Sequence, residues 1–471
     1  MGKYCLRVIK FSLCFFILLL ALPFNIFNVQ AQTVLGEATT FSENQKSLLV
    51  AKPAVVQVTN ITTGNMILQA SIANELNAPQ LTGKSYEFVV GLSGSGFFIT
   101  PDGYLITNGH VAKPEEDLVA YYAIVQNAEF MLKDAIYYVL ETNYGYSPTE
   151  AELENAYQYA LVNTYSGSYD VMVDQFYSID YKGGNMVIDG LKNNAYIQTG
   201  SVSGTQKLVK EYGKAASLID TSYEGDFNSK DLALLKVDGS NFPTIELGSF
   251  GNVQIGKEVF AIGYPALVES GTGVFTDTQS QLEPSITKGI ISAKKTLVDG
   301  TEAFQTDAGI THGNSGGPVV DTEGKVIGVA TWSFGDNPGG ESFNFLISVE
   351  QIQALLSRNN ITVSESISTS NWSEALDLFS EKCYTKAKAK FEDTKTLYAD
   401  NVDIDDFISQ CQTAIENGED ACQSKIGNWG YIAGGVCCVL LLIALIVILL
   451  LVFVVKKRKK TEQVEQKTGK A

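Results

Sequence analysis

Apolar and polar positions change rhythm several times along this chain. From about residue 47 to 113, and again from about 194 to 349, short apolar runs are separated by turn residues. Examples are Ala54-Val55-Val56-Gln57-Val58, Gly96-Phe97-Phe98-Ile99-Thr100 and Val326-Ile327-Gly328-Val329-Ala330. This rhythm predicts many short strands closed into barrels or stacked as a sandwich, with Pro101-Asp102-Gly103 as a tight hairpin turn. Between the two stretches, residues 117–166 follow a helical spacing through Leu118, Tyr121, Tyr122, Val125 and Ala128. A loop at 143–146 leads into Ser147-Pro148-Thr149-Glu150, read as N-cap, first-turn proline and capping-box acid. The expectation is two helices packed as a hairpin and inserted into the β region. Helical spacing returns at 349–357, and 358–370 reads as a linker. Two further helices are expected at 372–395, with Trp372 at its start, and at 404–415, capped by Asp403 and ended by Gly418. Together, 371–428 reads as a helical stalk, or alternatively as one degenerate tetratricopeptide-like hairpin built on Tyr384, Ala387 and Phe391.

The two ends carry longer apolar runs. Lys3, Arg7 and Lys10 precede an uncharged run at 11–23, and Val29-Gln30-Ala31 supplies small residues for cleavage after Ala31. Residues 1–31 therefore read as a signal peptide, the alternative being an uncleaved anchor. Residues 432–455 are uncharged and rich in Leu, Ile and Val, bordered by Trp429 and Tyr431 on one side and by Lys456-Lys457-Arg458-Lys459-Lys460 on the other. That pattern predicts one transmembrane helix with a basic cytoplasmic tail at 456–471 and everything before Trp429 outside. A buried soluble helix is the alternative.

Composition narrows the picture. Lys+Arg 34 against Asp+Glu 52 gives a net charge of −18, which argues against nucleic-acid binding. Two histidines are few for a zinc site, and no ligand spacing suggests one, so no metal or organic cofactor is expected. Of seven cysteines, Cys5 and Cys14 fall in the signal and Cys437 and Cys438 in the span. Cys383, Cys411 and Cys422 remain. Spacing allows Cys383 to face Cys411 across the stalk hairpin with Cys422 left over, but does not settle the pairing. Asn60-Ile61-Thr62, Asn360-Ile361-Thr362 and Asn371-Trp372-Ser373 are sequons that matter only in a eukaryotic host.

The β region carries the chemistry. Gly313-Asn314-Ser315-Gly316-Gly317-Pro318 is built to hold a serine hydroxyl beside backbone amides, and Thr107-Asn108-Gly109-His110-Val111-Ala112 and Asp231-Leu232-Ala233-Leu234-Leu235 precede it. A serine needs a base to take its proton and a carboxylate to orient that base. Ser315 is the candidate nucleophile, His110 the base and Asp231 the orienting acid. Gly313, Asn314 and Ser315 form the candidate oxyanion hole, with the Gly313 and Ser315 amides as donors. Asp220, Asp226 and Asp238 compete with Asp231, which alone heads an apolar strand able to bury its carboxylate. His312 reads as loop chemistry.

These words, together with Gly94-Ser95-Gly96-Phe97-Phe98-Ile99, Ala261-Ile262-Gly263-Tyr264-Pro265 and Gln305-Thr306-Asp307-Ala308, make residues 47–357 resemble the trypsin-like serine proteases of the HtrA/Deg group. The resemblance implies two perpendicular six-stranded barrels with the site in the cleft between them. The chain departs from the trypsin pattern at two positions. Asn314 stands where zymogens place the aspartate that pairs with a freed N-terminus. Gly309 stands where trypsin places its basic-specificity aspartate. Gly309 and Ile310 are therefore the expected specificity pocket, favouring small or medium aliphatic side chains unless Asp307 faces it. No PDZ domain is apparent after residue 360.

The expected fold class is mainly β: a trypsin-like double β-barrel (32–357) with an inserted helical hairpin, a C-terminal helical stalk and one transmembrane helix. The expected function is a membrane-anchored extracytoplasmic serine endopeptidase, bacterial in type, acting on protein or peptide substrates in quality control or processing. The insertion or stalk offers a surface for a protein partner, and an oligomer is a separate expectation. The rivals are a catalytically silent protease fold kept for binding and a surface scaffold whose helices carry the function.

Overall fold

The twelve strands seen among the described residues form two closed six-stranded barrels. The structure, a computed structural model, describes residues 41–199, 209, 213–225, 230–265, 283–311, 313–334, 343–422, 448 and 452. The first barrel consists of β1 (Val55–Leu68), β2 (Ser85–Phe98), β3 (Tyr104–Thr107), β4 (Met186–Gln198), β5 (Lys214–Thr221) and β6 (Ala233–Val237), in the order β1-β2-β3-β6-β5-β4. The second consists of β7 (Glu258–Gly263), β8 (Ser285–Thr296), β9 (Glu302–Thr306), β10 (Pro318–Asp321), β11 (Val326–Phe334) and β12 (Phe343–Ser348), in the order β10-β11-β12-β9-β8-β7. Ladder pairs are antiparallel throughout, for example Val58 opposite Gly94 and Gly96 opposite Thr107.

Near-continuous apolar runs occur in β6, β7 and β10, where successive side chains point to opposite faces and both faces are covered, whereas β4, β5 and β8 stay largely exposed or half-buried. On β2 and β6, Phe98, Ala233, Leu235 and Val237 fill the first barrel. Their neighbours Phe97, Leu232 and Leu234 turn outward into a shared layer with Phe260, Ile262 and Val320 from the second barrel.

Helices account for the rest. α1 (Glu43–Ala51) opens the described chain with a Ser42–Gln45 capping box. α2 (Gly109–Ala112) is a single turn after β3. The insertion is α3 (Glu116–Tyr144), α4 (Glu150–Thr164) and α5 (Tyr169–Gln175), followed by a π-turn over Phe176–Tyr181. It is longer than the expected 117–166 hairpin and does not float free. Gln126 bonds both backbone groups of Val89 on β2, Tyr86 donates to Asp134 at 2.8 Å, and Val119, Ile124 and Met131 share a core with Met66, Phe88 and Val90. The cap of α4 is Thr149, whose hydroxyl and Glu152 bond reciprocally. The Ser147/Pro148 expectation is thus shifted by two residues, since Thr-x-x-Glu at 149–152 satisfies the same spacing.

α6 (Val349–Arg358) packs Ile352 and Leu355 against the inter-barrel layer. Arg358 Nε and Asn359 Nδ2 both donate to Asp220 on β5 at 2.6 Å, and the guanidinium foremost holds that carboxyl below its usual range. A depressed folded value contributes stability that is present above the unfolded carboxylate value and is lost as pH falls through the folded one. Melting curves of Asp220→Asn should therefore fall less steeply than those of the unmodified protein as pH drops from about 5 toward 3. Parallel pH profiles would refute the assignment.

α7 (Ile367–Ser380), α8 (Tyr384–Leu397) and α9 (Ile404–Glu416) follow. They surround Trp372, Phe391 and Phe407, and Leu49, Val50 and Phe41 pack against the same cluster. Lys52 meets Asp403 at 2.9 Å, Tyr398 enters the first-barrel core, and Ser368 Oγ donates to the Asn241 carbonyl at 2.7 Å. These helices are docked on the barrels, and α7 begins inside the stretch expected as linker.

Cys383 is bonded to Cys422, which corrects the Cys383–Cys411 alternative. Cys411 lies on the buried face of α9 with Phe407 and Ala414, where burial pushes its thiol up to about 12. The chain instead turns back at Gly418 (φ +73), and Ala421 N donates to Lys382 O, bringing Cys422 beside Cys383.

The expected class, mainly β, is corrected. The structure is 41% helical, because insertion and C-terminal helices add so much to the barrels. Among the described residues no helix is long and apolar enough to cross a membrane. The longest, α3, carries Glu129, Lys133, Asp134 and Glu141 along its length, charges that a spanning helix avoids. The segment 432–455 lies outside the described residues apart from 448 and 452, as do the signal segment 1–31 and the tail 456–471.

Candidate active site

Asp231 sits where the chain enters β6 and is fully buried. A buried carboxylate needs donors for both oxygens. Oδ1 accepts from the His110 backbone amide at 3.0 Å, and Oδ2 faces His110 Nδ1 at 2.6 Å. The imidazole belongs to the one-turn helix α2, and its side chain remains 26% exposed. Asn108 supports the pair from behind. Its Nδ2 donates to the Asp231 carbonyl at 2.6 Å and to Thr331 Oγ1 at 3.1 Å, crossing from one barrel to the other.

The serine turn is held by the opposite wall. Ser95 N donates to the Ser315 carbonyl at 2.7 Å. Ser95 Oγ donates to the Gly313 carbonyl at 2.7 Å and accepts from Tyr264 N at 2.9 Å. Gly316 has φ +88, and a Cβ there would run into Ser95 O and Thr107 Oγ1, so only glycine closes this turn against β2. Gly313 also has positive φ. Among the described residues, the backbone amides of Gly313 and Ser315 have no hydrogen-bond acceptor, while Asn314 N is tied to the Thr311 carbonyl. Two unpartnered amides next to a hydroxyl are what an oxyanion requires.

The Ser315 hydroxyl itself donates to the Thr331 carbonyl at 3.2 Å. No hydrogen bond among the described residues joins it to His110. Asn314 is 4% exposed, with Oδ1 lacking a hydrogen-bond partner among the described residues, and its uncharged amide forms no ion pair at that position.

The remaining expected residues are placed as follows. Asp220 is engaged by Arg358, Asp238 is exposed and Asp226 and His312 lie outside the described residues. Gly309 is exposed, with its carbonyl accepting from Thr287 Oγ1 at 2.7 Å. Ile310 is 5% exposed and packs in the second-barrel core. Asp307 Oδ1 accepts from the Ile290 amide at 2.6 Å. Ser95, Asn108 and Thr331 were not assigned roles from the sequence. Ser95 lies within Gly94-Ser95-Gly96 and Asn108 within Thr107-Asn108-Gly109-His110, and that adjacency is the signal the sequence offers.

The profile of the Trypsin-like peptidase domain matches residues 216–329, a span holding Asp231 and Ser315. A probable periplasmic serine endoprotease, DegP-like, of Pseudomonas putida is 38% identical over 123 residues, covering 26% of this chain and 23% of the relative. The DegP-like relative of Halomonas elongata is 33% identical over 165 residues, 34% of this chain and 32% of its own. The chain thus spans 23% of the length of the Pseudomonas relative. Among solved structures, the HtrA-type protease AlgW with decapeptide is 21% identical over 68% of each chain, with a TM-score of 0.35. Residues 216–329 thus match the trypsin-like peptidase domain, and part of the chain is similar to DegP-like serine endoproteases.

Proposed function

We propose that the protein is a serine endopeptidase that cleaves protein or peptide substrates through an acyl-enzyme, with Ser315 as nucleophile, His110 as general base and Asp231 as its orienting acid. The observation that carries this reading is the buried Asp231–His110 Nδ1 contact, linked through Asn108 to Thr331, whose carbonyl holds the hydroxyl of a serine with two amides that are unpartnered among the described residues. In this mechanism the Ser315 hydroxyl leaves the Thr331 carbonyl by rotation about its side-chain torsion and gives its proton to His110 Nε2. The oxygen attacks the scissile carbonyl. Asp231 stabilises the imidazolium, which then protonates the leaving amine. Water repeats the sequence on the ester. The developing oxyanion is received by the Gly313 and Ser315 amides, each such donor contributing about 3 kcal/mol to the transition state.

A preference for small or medium aliphatic side chains rests on Gly309, which adds no side chain, and on Asp307, whose Oδ1 accepts from a backbone amide. Ile310 is directed into the barrel core and drops out of the pocket proposal. An extracytoplasmic bacterial setting, with a role in protein quality control or processing, is proposed because the relatives are described as periplasmic DegP-like endoproteases.

The resting bond from Ser315 to Thr331 favours a second reading, a protease fold kept for binding. Labelling with a fluorophosphonate decides between them. The unmodified protein takes up the probe, while Ser315→Ala and His110→Ala do not. Equal labelling of the Ser315→Ala variant, or none of the unmodified protein, removes the peptidase reading.

A further inference from the structure

We infer that Tyr223 is a positioning residue for the His110 imidazole and that Glu115, at the root of the helical insertion, is its anchor; the inference rests on the peptidase reading above. Asp231 holds the imidazole at one nitrogen only, and a ring that is 26% exposed can still rock about that contact. Tyr223 supplies a second restraint. Its ring lies edge-on to the imidazole, with centroids 6.3 Å apart and planes at 66°. Behind it, Gly109 leaves room for the tyrosine, since a Cβ at 109 would overlap Tyr223 Cβ.

Both ends of Tyr223 are fixed. Its backbone amide donates to Thr221 Oγ1 at 3.0 Å, and Thr221 Oγ1 donates to the Leu232 carbonyl next to Asp231. The amide of Ser222 donates to the same carbonyl at 2.9 Å. At the other end the phenol donates to Glu115 Oε1. Glu115 is the N-cap of α3 and accepts from Val119 N at 3.0 Å, so it moves with the first turn of the insertion. The phenol therefore ties the segment leading to Asp231 to the insertion that follows His110, and the ring between them lies beside the base. On its other side opens a cavity of about 580 Å³, lined among others by Lys113, Glu116, Tyr181 and Glu224. Removing the ring would widen that cavity toward the imidazole.

Misplacement of a catalytic group by a fraction of an ångström lowers turnover more than binding. Tyr223→Ala is expected to lower kcat about tenfold with KM changed less than twofold. Tyr223→Phe, which keeps the ring but loses the tie, is expected to lower kcat about threefold. Glu115→Ala should match Tyr223→Phe, and the double variant Tyr223→Phe/Glu115→Ala should be no slower than either single, because both remove one contact. Glu115→Gln, whose amide oxygen still accepts from the phenol, should recover most of the Glu115→Ala loss.

The experiment measures steady-state cleavage of a chromogenic peptide series and the rate of fluorophosphonate labelling for each variant, with melting temperatures taken alongside. If Tyr223→Ala fails to fold, Tyr223→Phe and the Glu115 variants decide. The inference is overturned if these variants turn over and label at the unmodified rate, if the losses fall in KM alone, or if the Tyr223→Phe and Glu115→Ala effects multiply. A protein without Ser315-dependent labelling overturns the peptidase reading, and this inference with it. Labelling that depends on Ser315 but is indifferent to Tyr223 and Glu115 overturns this inference alone.

Discussion

Ser315→Ala is expected to lower kcat for peptide cleavage by about a millionfold, about 8 kcal/mol of transition-state stabilisation, with KM nearly unchanged. The expectation follows from the proposed mechanism, in which the three side chains act as one device. Without the hydroxyl there is nothing for His110 to deprotonate, and the two amides at Gly313 and Ser315 are left to polarise a carbonyl attacked only by water. His110→Ala should cost about as much, and the pair Ser315→Ala/His110→Ala no more than either alone. Asp231→Asn is expected to lose about ten-thousandfold by presenting the imidazole in the wrong tautomer. The measurement is single-substrate kinetics on purified variants whose melting temperatures match the unmodified protein. A Ser315→Ala protein that still cleaves within a hundredfold of normal would mean the nucleophile lies elsewhere.

Trp372→Ala should destabilise the folded unit by about 3–5 kcal/mol. The indole is 1% exposed, its rings lie 5.1 Å from Phe391 and 5.5 Å from Phe407, and Nε1 donates to the Leu49 carbonyl of α1 at 2.7 Å. Truncation leaves a cavity at the junction of α1, α7, α8 and α9 and removes that cross-tie. Urea unfolding should show a midpoint lowered by more than about 1 M, at slopes of about 1–3 kcal/mol per molar. A loosely attached stalk would instead leave barrel unfolding unmoved, so an unchanged midpoint would refute the docked arrangement.

What the sequence made legible, and what it hid, follows from where the physical signal is local. The end of β2 and the whole of β6 were readable because two packed barrels bury both faces there and leave apolar runs such as Phe97-Phe98 and Ala233-Leu234-Leu235. The serine turn was readable because Gly316 answers to a steric demand that no other residue meets. The insertion was underestimated because 168–181 is a short helix followed by a π-turn, which breaks the 3.6-residue rhythm. Ile367–Ser370 looked like linker because serine and threonine compete for backbone bonds in turns. Here those side chains are spent on tertiary contacts, with Ser368 Oγ on the Asn241 carbonyl and Thr369 Oγ1 accepting from Thr244 N. The disulfide was hidden because its choice depends on a turn at Gly418 and on the inward face of α9, neither encoded in cysteine spacing. Tyr223 was invisible for a related reason. Its partners, Glu115 and His110, are more than a hundred positions away, across an insertion of undetermined path.

The shared packing of Phe41, Leu49 and Val50 with Phe379 and Phe407 gives biogenesis a direction. A nascent polypeptide presents histidine, aspartate and serine well before the closing helices emerge, yet α1 has no complete burial partner until they do. Burial of α1 is therefore complete only once α7, α8 and α9 have been made, so this corner of the fold closes late in synthesis.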